Sequence, residues 1–162
     1  MTPDTPTDDD TRHMAAAIAA SREALRAGDM PFGATLVKDG VQLWVARNHQ
    51  CSTQDCTSHA ETALVREVHA ALGPQATQGA TVYASGEPCA MCAGAMFWAG
   101  IREVVYGAST PDITAQLGGP SLPLRCAEAL AGCVPAITVR GPVLGDEAVA
   151  VLADWAAIQP AP

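Results

Sequence analysis

The spacing of apolar residues changes period along the chain, and each change marks an element. From about Asp10 to Gly28, Met14, Ile18, Ser21 and Leu25 recur at intervals of three and four, which puts them on one stripe of a helix. Gly28 is suited to stop it. Residues 33–38 and 41–47 are rich in β-formers and joined by Asp39-Gly40, a strong hairpin signal. Residues 48–57 read as a loop, and a second helix runs from near Ser58 to Gly73-Pro74. Thr81-Val82-Tyr83-Ala84 reads as a short buried strand. Cys89 to Gly100 is a helix apolar almost all round, and so expected to be buried. Glu103-Val104-Val105-Tyr106 is a further strand. A Gly/Pro loop over 108–123, a short helix near 124–131, a strand near 136–140 and a helix from about 145 to 157 follow. One hairpin followed by alternating strands and helices predicts an α/β fold, a three-layer α/β/α arrangement around a mixed five-stranded sheet. A chain of 162 residues fits one domain, here 11–158.

Residues 1–10 are Thr/Pro/Asp-rich and lack an apolar run. They read as a disordered acidic tail, neither signal peptide nor membrane span. Nearly half the residues are hydrophobic (49%), enough for a core without staples. The chain is thus expected in the cytoplasm, with its six cysteines reduced and serving as ligands or core residues rather than in disulfides. The net charge is −8, and the eight Arg and one Lys are scattered, with none after Arg140. Polynucleotide binding draws its affinity from clustered Lys and Arg, so the charge argues for a small-molecule substrate and against nucleic acid.

Chemistry enters through a split motif. His59-Ala60-Glu61 and Pro88-Cys89-Ala90-Met91-Cys92 together supply an imidazole, two thiols and a spare carboxylate. Three such ligands with an open fourth position for water or hydroxide describe a catalytic zinc ion, one per chain. A nearby carboxylate is what an activated water needs to move its protons. Cys89 and Cys92 begin a helix, where free N–H groups favour thiolates. Taken alone they could equally be a redox pair or core cysteines. Ser58-x-x-Glu61 also has the form of a capping box. His49, Cys51, Cys56 and His59 form a second, local ligand set that could hold a structural zinc. Phe32-Gly33 opens the first strand, where Gly33 would let a ligand approach the backbone. Trp98 could pack in the core or offer an aromatic face to a planar ring.

These residues resemble the cytidine deaminase-like superfamily, near its guanine deaminase and tRNA adenosine deaminase branches. The resemblance rests on Met30-Pro31-Phe32-Gly33-Ala34, Asn48, Thr57-Ser58-His59-Ala60-Glu61 and Ser85-Gly86-Glu87-Pro88-Cys89-Ala90-Met91-Cys92-Ala93-Gly94-Ala95, in the family's order. It implies zinc on His59, Cys89 and Cys92, hydrolytic loss of ammonia from an aminated ring, and Glu61 as the proton shuttle. It implies substrate contacts from Asn48 and the Ala60 N–H, and a homodimer. In the guanine branch an acid occupies the region of Asp112, as a second proton relay. The tRNA branch implies a basic C-terminal helix, whereas this one carries Asp146, Glu147 and Asp154. The reading is a deaminase of a free base or nucleoside; tRNA editing and a non-catalytic partner subunit are the alternatives.

Overall fold

The computed structural model describes residues 5–160. Helix α1 (Asp8–Arg26) precedes the hairpin β1 (Gly33–Lys38) and β2 (Val41–Arg47). Then come α2 (Gln50–Thr53), α3 (Ala60–Leu72), β3 (Thr81–Gly86), α4 (Ala90–Trp98), β4 (Glu103–Ala108), α5 (Thr110–Leu117), α6 (Cys126–Ala129), β5 (Thr138–Arg140) and α7 (Gly145–Ile158). The strands form one sheet in the order β2-β1-β3-β4-β5. Strand β1 is antiparallel to both its neighbours, while β3, β4 and β5 are parallel. This is the mixed five-stranded α/β architecture that the alternating pattern predicts.

Successive strand residues point to opposite faces, and that divides the core in two. Leu36, Val82 and Val104 pack with Leu64, Val68 and Met96 of α3 and α4. Val37, Tyr83 and Val105 pack with Met14 and Ile18 of α1 and Val151 and Leu152 of α7. Gly33 pairs with Arg47, and Gly86 with Ala108. The start of β1 and the ends of β2, β3 and β4 therefore share one sheet edge, and α3 and α4 both begin there. Ligand sites of open α/β sheets sit at such an edge.

Several expectations are corrected. Helix α1 starts at Asp8, so residues 8–10 are its first turn and not part of a tail; residues 1–4 lie outside the described residues. Thr7 caps it, accepting from the Asp10 N–H while Asp10 accepts from Thr7, and three acids at a helix N-terminus are favoured by the dipole. The stretch 108–123 holds α5, opened by Ser109 and Asp112 in the same reciprocal cap, and the loop after β2 holds α2. Helix α3 is capped at His59 and not Ser58, so the Ser58–Glu61 capping box does not form. Helix α4 is not buried all round: Met91 and Trp98 are exposed, Trp98 at 83%. A Cβ on Gly33 would collide with the Ala17 carbonyl and lie 2.7 Å from Ala20 Cβ. Gly33 thus serves the packing of α1 on the sheet.

Candidate active site

His59 and Cys89 occupy the residues just before α3 and α4, both in extended backbone conformation. Neither side chain makes a capping hydrogen bond to its helix, which leaves both for other partners. Because both helices start at one sheet edge, the two side chains meet. Cys92, in the first turn of α4, completes the group. His59 Nδ1 lies 3.6 Å from Cys89 Sγ and 3.5 Å from Cys92 Sγ. Ligand atoms of all three lie within 4.8 Å of one another. One imidazole and two thiols converging at this spacing fit a zinc ion with a position left open.

The electrostatics agree. The Cys92 thiol donates to Cys89 and, against the cost of burial, holds Cys89 down at about 4, with help from His59 and the Cys92 N–H. Cys92 is pushed up by that same hydrogen bond and by burial. Cys89 as hydrogen-bond partner raises His59. Glu61 stands in the first turn of α3 and is buried. Burial raises its carboxyl above the ordinary range, and the bond from its own N–H and the nearby His59 oppose this only in part. A carboxyl group so placed keeps its proton to higher pH than an exposed one.

The site opens into a cleft of about 720 Å³. His59, Glu61 and Cys89 lie at its floor; Met30, Phe32, Met91, Ile113, Leu117 and Trp155 give it apolar walls. Gly86 makes room for Phe32, since a Cβ there would come within 2.6 Å of the ring. The outer wall is anchored by Glu87, whose carboxylate accepts from the Thr110 N–H (2.8 Å), Arg125 Nε (2.8 Å) and the Cys126 N–H (3.0 Å). One acid thus fixes the starts of α5 and α6.

Of the residues singled out in the sequence, His59, Glu61, Cys89, Cys92 and Phe32 come together. Ala60 is the first residue of α3 and fully buried, with its N–H among the donors a helix start leaves open. Asn48 is buried with its amide engaged by Gln50, and it is Gln50 that lines the cleft. Trp98 lies outside the cleft, edge-on to Phe97. Asp112 is outside it too, where its carboxylate caps α5. The local set does not assemble: Cys51 and Cys56 are exposed, and among the described residues only His59, Cys89 and Cys92 form a metal-ligand group. Gln50, Glu87 and Trp155 were missed; the only available signal was that Glu87 adjoins Pro88-Cys89.

Residues 7–108 match the family model of the cytidine and deoxycytidylate deaminase zinc-binding region. A probable cytosine deaminase of Schizosaccharomyces pombe is 33% identical over 144 residues, covering 86% of this chain and 88% of that protein. A tRNA-specific adenosine deaminase of Agrobacterium fabrum is 40% identical over 101 residues, 62% of this chain and 66% of that one. A solved guanine deaminase of Nitrosomonas europaea shares the fold, with a TM-score of 0.77 at 23% identity over 94% of this chain and 86% of its own. With its ligand group, its sheet and its motif order in agreement, the chain belongs to the cytidine and deoxycytidylate deaminase family and carries that family's zinc-binding region.

Proposed function

We propose that this deaminase releases ammonia from a free, unphosphorylated amino-substituted base or nucleoside, in the manner of a guanine deaminase. The observation that carries this reading is the cleft lining: among the described residues, no Lys or Arg lines it. A phosphate or an RNA backbone would enter without a counter-charge. The apolar walls instead suit the faces of a planar heterocycle.

When bound, zinc supplies an activated water as nucleophile. His59, Cys89 and Cys92 would hold it. Glu61 would pass one proton of that water to the ring nitrogen and the second, from the added hydroxyl, to the amine, which leaves as ammonia when the carbon–nitrogen bond breaks. Phe32, Ile113 and Trp155 bound the ring, and the Ala60 N–H offers a donor beside the metal. The exposed face of α4, with Met91 and Trp98 two turns apart, is apolar and unpartnered. A second copy of the chain would cover it, giving a homodimer. Six unpaired cysteines accord with a cytoplasmic location. No helix among the described residues is long and apolar enough to cross a membrane.

The test is ammonia release from a panel of free bases and nucleosides, beside an adenosine-containing tRNA anticodon stem-loop. Release from a free aminated ring and none from the RNA is expected. Release from the RNA alone would overturn the reading.

A further inference from the structure

We propose that Gln50, oriented by Asn48, presents a hydrogen-bond donor to the substrate ring, so that the enzyme prefers aminated rings bearing a ring carbonyl. This rests on the deaminase reading above. The argument starts from a donor of fixed polarity. The Gln50 backbone N–H points at the Asn48 amide with a 2.8 Å contact. A backbone N–H can only donate, so the Asn48 atom it meets is the oxygen. Asn48 Nδ2 must then donate to the Gln50 side chain, which it does to Oε1 at 2.7 Å. That contact occupies the acceptor end of the Gln50 amide and leaves its NH2 for the cleft. Among the described contacts, Nε2 makes one long bond, to the Cys56 carbonyl at 3.3 Å. Its second N–H is available to a ligand.

Placement supports the same assignment. Gln50 lines the cleft with His59, Glu61 and Cys89, whereas Asn48 does not. Helix α2, a single turn, is held rigidly. Asp29, wholly buried, accepts from the Ser52 N–H and hydroxyl and from Arg47, each at 2.8 Å. The Thr53 hydroxyl donates back to the His49 carbonyl at 2.6 Å. A donor whose position is set before the ligand arrives loses little freedom on binding. Glu87, also on the wall, is engaged by Arg125 and the starts of α5 and α6. The wall beside α2 therefore offers a donor and is matched by a carbonyl oxygen.

The experiment uses the zinc-loaded full chain and two aminated rings, one with a ring carbonyl and one with hydrogen in its place. The wild type should prefer the carbonyl ring. Gln50→Met keeps the length and removes the donor. It should raise KM for the carbonyl ring about three- to tenfold more than for the other ring, the value of one neutral hydrogen bond. Zinc content should not change. Gln50→Glu, which turns the donor into an acceptor, should be worse for the same ring only. An unchanged preference in Gln50→Met would overturn the inference while leaving the deaminase reading standing. So would tighter binding of the carbonyl ring, as expected if Asn48, once released from Gln50, made the contact itself. No ammonia from either ring in the wild type would overturn both.

Discussion

Two of the buried acids, Asp10 and Glu61, are treated in opposite ways. Asp10, on the α1 side of the sheet, accepts from Arg140 (2.6 Å), Tyr83 (2.8 Å) and the Thr7 backbone (2.9 Å). Arg140 in turn holds Glu103, which accepts from Thr81. Arg140 as hydrogen-bond partner keeps the Asp10 carboxyl far below the usual range, outweighing burial. Glu61, on the other face, has no Arg or Lys partner among its described contacts, and burial drives it upward. Where stability is the task, buried charge is matched by cations and donors; where proton exchange is the task, it is left unmatched. The contrast is what the role proposed for Glu61 requires.

The largest effect that separates the two is on rate. Glu61→Ala should lower kcat about 10²- to 10⁴-fold, the scale of lost general acid–base catalysis. Zinc should stay bound, because the three ligands are untouched. Removing an unmatched buried carboxylate should also leave the melting temperature the same or higher. Ammonia release, elemental analysis for zinc and a thermal melt together check this. Retained turnover would reduce Glu61 to a helix-terminus residue.

Asp10→Ala should do the reverse. It leaves the buried Tyr83 hydroxyl without its acceptor and takes away one of the two carboxylates that Arg140 holds, at a cost of about 2 kcal/mol, or a melting temperature lower by roughly 4–8 °C, while kcat at low temperature holds. The pH dependence follows from the lowered carboxyl. Stability contributed by Asp10 is complete above its unfolded value of about 4 and drains away as pH falls below that toward the folded value. Asp10→Asn should therefore flatten the acid limb of the stability profile, read by urea midpoints at successive pH values. An unchanged limb would show that the network is not coupled to folding.

Glu87 sharpens the comparison, because it belongs to the cleft yet is matched as Asp10 is. Its side chain is 1% exposed and paired with Arg125, which is 37% exposed. Glu87→Ala frees the starts of α5 and α6 and leaves Arg125 able to turn to water. About 2 kcal/mol of stability should be lost, and KM should rise more than kcat falls as the outer wall loosens. A fall in kcat as large as that of Glu61→Ala would mean that Glu87 shares in the chemistry.

What could be read in advance follows the same division. The sheet was legible because Leu36/Val37, Val82/Tyr83 and Val104/Val105 alternate between two cores, and alternation survives in sequence. His59, Cys89 and Cys92 were legible because metal ligation accepts few residue types. Asp10 was misread as a tail acid, and the cap made by Asp112 was not foreseen. Both cap a helix three residues after a Thr or Ser, a signal present in the chain but obscured by the run of acids and by Pro111. Trp98 was misread because apolar composition shows that a helix has apolar faces but not whether this chain covers each of them. Gln50 and Trp155 escaped because they reach the cleft only through tertiary convergence of α2 and α7, which no local pattern records.

The smallest expected effect tests the boundary of the site. Cys56 lines the cleft, and Cys51 lies five residues earlier, so either thiol could seem to compete for the metal. Both are exposed, and neither brings a ligand atom into the group formed by His59, Cys89 and Cys92. Exposed Cys→Ser changes away from caps and core stay within about 0.5 kcal/mol. Cys51→Ser and Cys56→Ser should each keep the full zinc content, whereas Cys89→Ser should lose it. Loss of zinc from either exposed variant would mean that the loop after β2 supplies a ligand, and the contrast between matched and unmatched acids would then have to be redrawn around a different metal centre.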